Sequence, residues 1–132
     1  MSTRFLLFVL LIALTAPARA DDRTAILGVW KGGMPGEPPG SMELTITPTK
    51  ITGRNPRTGE SLGEGTYELD SAARTIETTR IVKFGRGQKN LGRYSLEGKT
   101  LRWVSNSRSK KRPADLVHRP ERDQFLMVLE RQ

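Results

Sequence analysis

The sequence predicts an all-β protein, a single domain closed as an eight-stranded antiparallel up-and-down barrel, on three observations. Residues 91–104 alternate as a β-hairpin does. With Glu97-Gly98 as the two turn residues, Tyr94 faces Leu101 and Leu96 faces Lys99, while Ser95 faces Thr100 on the opposite surface. In a helix the apolar residues would instead recur at three- and four-residue intervals. The second observation is an echo: Gly65-Thr66-Tyr67-Glu68-Leu69-Asp70, then Thr75-Ile76-Glu77, repeats Gly92-Arg93-Tyr94-Ser95-Leu96-Glu97, then Thr100-Leu101-Arg102, with a longer turn at 71–74. Two copies make a repeated hairpin within a meander, not a solenoid. Third, about eight short alternating runs are separated by turn-forming stretches, with no amphipathic helix among them. Closure into a barrel removes the exposed edges that such a meander would otherwise carry.

Taken in order, residues 21–27 are a short lead-in with room for one helical turn, delivering the chain to a first strand at Gly28-Val29-Trp30-Lys31. Residues 32–40 are too rich in Gly and Pro for regular structure and form an open loop, either a binding lip or a mobile connection. Met42, Leu44 and Ile46 then alternate with Glu43, Thr45 and Thr47, and Pro48-Thr49-Lys50 turns the chain into Ile51-Thr52-Gly53 as a hairpin. After a connection at 54–60 the alternation resumes over 62–70, with Tyr67 and Leu69 on one face and Glu64, Thr66, Glu68 and Asp70 on the other. Residues 78–82 continue a strand and 83–90 form a basic, glycine-rich connection. Beyond the hairpin come a polar basic loop at 105–113, a short edge strand at 116–118, and a closing strand at 125–130 that pairs with the first.

Residues 1–20 read as an export signal, outside the domain at 21–132. Arg4 supplies the positive start, residues 5–14 an apolar run too short for a comfortable membrane span, and Ala18-Arg19-Ala20 the small-x-small cleavage site. Cleavage before Asp21 predicts an exported protein, periplasmic or extracellular, with no transmembrane span. Loss of Arg4 and Arg19 takes the 22 Lys and Arg to 20 against 14 Asp and Glu, a net charge of +6. Such a surplus implies a solvated basic surface and weak association with anionic polymers or surfaces. The absence of cysteine excludes disulfides, thiolate metal sites and a cysteine nucleophile.

The same residues argue against most chemistry. His118 is the only histidine, so a histidine or thiolate metal centre lacks ligands, and His118 is expected at the surface. Asp115 and His118 have no serine in a nucleophile elbow to serve. The connection at 83–90 lacks the spacing of a phosphate loop and the helix that should follow one. Arg93 and Arg102 stand directly opposite each other in the hairpin register above, with Glu77 placed to pair with Arg93. Tyr94 and Trp103 take the other face, so cations and aromatics do not combine into a stacking surface for nucleic acid. No catalytic residue, metal or cofactor is expected, and no specific nucleic-acid binding.

Gly28-x-Trp30, Gly-Thr-Tyr-x-Leu-Asp at 65–70, Gly-x-Tyr-x-Leu-x-Gly-x-Thr-Leu at 92–101, Arg112-Pro113 and the apolar end at 125–131 together resemble a lipocalin-like small-domain family abundant in Planctomycetes. The resemblance implies a lipocalin-like, calycin-type β-barrel with no established activity. It also implies that Trp30 caps the closed end and that Arg131 packs across it. The barrel interior is left as the candidate site. Tyr67, Leu69, Tyr94, Leu96, Leu101 and Trp103 are its candidate ligand-binding residues, for a small, largely apolar molecule in a non-enzymatic binding module. The alternative is a filled barrel working as a structural or interaction protein through its basic loops.

Overall fold

Period-two alternation does close on itself. The computed structural model describes residues 21–81 and 86–132, and the export segment at 1–20 and part of the 83–90 connection lie outside them. The strands are β1 (Gly28–Gly33), β2 (Met42–Ile46), β3 (Lys50–Arg54), β4 (Ser61–Asp70), β5 (Thr75–Arg80), β6 (Lys89–Glu97), β7 (Thr100–Ser105) and β8 (Phe125–Arg131), with one helical turn, α1 (Asp22–Ala25), ahead of them. Each strand pairs antiparallel with its sequence neighbours, and β1 pairs with β8 through Trp30↔Arg131 and Gly32↔Leu129. The protein is an eight-stranded up-and-down barrel in one domain.

The two ends of the barrel are built differently. Short turns after β2, β4 and β6 gather at one end together with α1, while the longer connections after β1, β3, β5 and β7 gather at the other. The last of these, residues 106–124, is a strap. It carries only the 3-10 turn Pro120–Arg122 and the bridge Arg119↔Gln124, so the edge strand expected at 116–118 is absent. Asn106, 3% exposed, fixes its start: its Oδ1 accepts the Leu91 N–H at 3.0 Å and its Nδ2 donates to the Lys111 carbonyl at 2.8 Å. The strap then runs over the outer surface of β6 and β7. There Arg93 Nε donates to the Pro113 carbonyl and Val104, on the outward face, is wholly buried.

The organising hairpin differs from its sequence register by two residues. The turn is Gly98-Lys99, so that Tyr94 faces Trp103, Ser95 faces Arg102 and Leu96 faces Leu101. Glycine takes the first turn position because that position carries the positive φ, 58° at Gly98, with no such angle at Lys99. A shift of two leaves every side chain on its expected face, so the inward set is unchanged. The charge pairing does change. Arg93 faces Val104, not Arg102, and Glu77 faces Leu91 and pairs with Lys89 at 3.8 Å.

Candidate ligand cavity

The end with the short turns is filled. Trp30 is 0% exposed and its Nε1 donates to the Ile26 carbonyl at 2.9 Å, which ties the turn of α1 down over the barrel. The Arg131 guanidinium lies 4.3 Å from the Trp30 ring centroid and donates to the carbonyls of Leu27, at 2.8 Å, and Ala25. A cation over an indole face is attracted by the ring quadrupole, and here its hydrogens are also satisfied. Gly28 leaves the space for this: at φ 127°, a Cβ there would stand 3.1 Å from Arg131 Nη1. Trp30 and Arg131 thus sit together at one end, and the remaining volume is taken by Ile26, Ile46, Ile76, Leu101 and Leu129, all buried.

Both tyrosines are spent on the same end. Tyr94 donates to Asp22 Oδ2 at 2.6 Å, and Tyr67 donates to the Thr47 carbonyl at 2.7 Å. Burial pushes the Tyr94 hydroxyl well above its ordinary pKa, and its bond to the Asp22 carboxylate pushes the same way. Burial raises Tyr67 as well. Of the six interior candidates read from sequence, Tyr67, Leu69, Tyr94, Leu96 and Leu101 therefore pack in or around the filled half. Trp103, the register partner of Tyr94, belongs to the same buried core and also lines the space at the other end.

At the opposite end the barrel keeps a cavity of ≈ 200 Å³, its apolar wall formed by Met42, Leu44, Ile51, Leu62, Met127 and Trp103. Glycine forms one side of it. Gly53 and Gly63 are register partners on β3 and β4, and Gly65 is the next position on the same face, so three inward positions carry no side chain. Thr78, Arg80, Asn90 and Ser105 add polar groups, and Leu62, 40% exposed, leaves apolar surface at the mouth. Trp103 is 7% exposed, and its Nε1 has no hydrogen-bond partner among the described residues.

These polar and glycine positions were legible in part. Arg80 is in phase with Ile76 and Thr78 on the inward face of β5, and an arginine in an apolar phase marks a lining residue or a partnered one. The glycines at 63 and 65 answer to close approach: a Cβ at Gly63 would stand 3.1 Å from Arg80 Nη2, and one at Gly65 2.8 Å from the Thr79 carbonyl oxygen. His118 is half-buried: its Nδ1 accepts the Leu126 N–H at 3.0 Å and its ring meets Phe125 edge-on at 6.3 Å, so its ring has a structural task. Among the described residues no group of three or more His, Cys, Asp or Glu could hold a metal, and no helix is long and apolar enough to cross a membrane. Comparison with protein families, with curated proteins and with solved structures finds no match for this chain.

Proposed function

We propose that this is an exported, lipocalin-like, non-enzymatic binding module, and that the cavity between Trp103 and the glycines of β3 and β4 holds a small, largely apolar ligand. The observation that carries the reading is the asymmetry of the barrel: one half is filled and sealed by Trp30 and Arg131, the other keeps space against a tryptophan wall. The volume suits a small molecule. A dry cavity of about 150 Å³ accepts benzene, so ≈ 200 Å³ takes one ring or a short chain with a substituent. The resemblance to the lipocalin-like family is supported by the Gly28-Val29-Trp30 element beside Arg131 at the sealed end.

The test is native mass spectrometry of protein purified without denaturant, followed by displacement of a fluorescent apolar probe. Retained ligand, or probe binding that Thr78→Phe abolishes by placing a ring in the cavity, supports the reading. Failure of a panel of single-ring and short-chain molecules to bind the folded protein overturns it. The second reading, weak contact with anionic polymers, rests on exposed Arg108, Lys110 and Lys111 of the strap, which join no ion pair among the described residues. Salt-sensitive retention on heparin that survives Thr78→Phe would favour it.

A further inference from the structure

The lining of the cavity has two sides. β2 and β3 supply it with apolar side chains and glycine, whereas Thr78 and Arg80 of β5, Asn90 of β6 and Ser105 of β7 form a polar side on neighbouring strands. Among the described residues Glu64 is the one carboxylate of the lining, and it already pairs with Lys50 at 3.2 Å. The Arg80 guanidinium lies across Gly63 of the adjacent strand: a Cβ there would stand 3.1 Å from Nη2, 3.5 Å from Cζ and 3.8 Å from Nε. Its main chain is held by the turn that follows, the N–H donating to the Gln88 carbonyl at 3.0 Å and the carbonyl accepting the Gly87 N–H at 2.7 Å. Gln88 Nε2 in turn donates to the Ser107 carbonyl, which joins this turn to the strap. Exposed Arg86 of the turn and exposed Arg108 and Lys110 of the strap therefore add positive potential at the same end. A guanidinium carries a permanent charge and five donors in a planar fork that matches the two oxygens of a carboxylate. Arg80 interacts with the protein as well, and one such partner does not exhaust five donors. Hydrogen bonds to an ionised partner are roughly twice as strong as neutral ones, so an anionic group gains most at this point of the wall.

Resting on the reading of the cavity as a ligand site, we infer that its ligand is a small aromatic or short-chain monocarboxylate, whose apolar body lies against Met42, Leu44 and Ile51 and whose carboxylate meets the Arg80 guanidinium. Three single-ring probes of similar size test this: benzoate, its neutral isostere nitrobenzene, and ethylbenzene, titrated into the folded protein at fixed pH and ionic strength. Binding is followed through the amide resonances of Gly63 and Gly65 and the Nε–H resonance of Arg80. Benzoate should bind about tenfold more tightly than either neutral probe, and it alone should shift the Arg80 resonance strongly. Arg80→Met keeps the length of the side chain without its charge or its fork; it should lose that preference and leave nitrobenzene binding within about twofold of wild type. Should the variant not fold, the Arg80 resonance of the wild-type protein decides alone. A triple variant, Arg86→Gln with Arg108→Gln and Lys110→Gln, separates contact from field: it should weaken benzoate binding less than Arg80→Met does. A preference that survives Arg80→Met and disappears in the triple variant overturns the inference in favour of diffuse attraction by the loops. Equal binding of benzoate and nitrobenzene overturns it while leaving the cavity a ligand site. If none of the three binds, the inference and the reading beneath it fall together.

Discussion

At the scale of single residues, the sealed end rests on two side chains. Truncating a buried tryptophan to alanine costs about 3–5 kcal/mol, against roughly 5–15 kcal/mol for the stability of a whole domain. Trp30→Ala should therefore unfold the protein or lower its melting temperature by roughly 12 °C or more, measured by circular dichroism. A variant that melts normally but loses ligand would place Trp30 in a binding role. Arg131→Lys keeps the charge but loses the planar fork that reaches both Leu27 and Ala25, and should cost about 1.5–3 kcal/mol in chemical denaturation. Asp123 sets a pH dependence of its own. Burial alone would raise its pKa, but the Ser107 hydroxyl and the backbone N–H groups of Ser107, Arg108 and Ser109 all donate to its carboxylate and hold it down at about 2. A carboxylate with a depressed folded pKa stabilises the protein above its unfolded pKa, near 4, and stops doing so as pH falls through the folded value. Asp123→Asn should accordingly be less stable than wild type at neutral pH, with the difference closing between about pH 4 and 2. A difference independent of pH would show that Asp123 acts through shape and not through charge.

At the scale of elements, the strap at 106–124 is the piece with the least regular structure, and it is pinned by a few buried polar side chains. Asn106 and Gln124 are both buried; Gln124 Nε2 donates to Asp115 Oδ1 at 2.9 Å and to the Val117 carbonyl at 2.6 Å. Asn106→Ala would leave the Leu91 N–H without its acceptor and should cost about 1–3 kcal/mol, with faster hydrogen exchange confined to the strap and the start of β6. Exchange that speeds up around the whole barrel would show that the strap is integral to closure. The hairpin at 91–104 could be read correctly as a hairpin and wrongly in its pairs for a local reason. Alternation fixes which residues share a face, and a two-residue slip preserves it, so Tyr94, Leu96, Leu101 and Trp103 point inward in either register. The slip is settled by which turn position needs positive φ, a property of Gly98 that alternation does not carry. Arg93 takes its partner, the Pro113 carbonyl, from a segment 20 residues away, so its pairing is invisible to local reasoning.

For the molecule as a whole, exported material should begin at Asp21, because the Ala18-Arg19-Ala20 site predicts cleavage there and a cut at that point keeps the cap of α1. The Asp21 side chain accepts the Arg23 N–H at 3.0 Å and caps α1, and Asp22 anchors Tyr94. N-terminal sequencing of secreted or periplasmic protein checks this, and a retained 1–20 segment would count against it. The sequence by itself determined the strand class, their number, the up-and-down order and the inward set, because period-two patterning, turn residues and chain order are local quantities read along one dimension. Trp30 and Arg131 came to notice through the resemblance, not through the alternation. Which half of the interior is full and which is empty was decided only by tertiary structure. Volume is a property of facing strands, and the three inward glycines matter only because β3 and β4 set Gly53 beside Gly63. For the same reason the interior candidates divided: Tyr94, Leu101 and Trp103 are in the buried core and Tyr67, Leu69 and Leu96 pack half-buried against it. Tyr67 and Tyr94 found acceptors in Thr47 and Asp22, 20 and 72 residues away, whereas the Trp103 indole met none within the described chain.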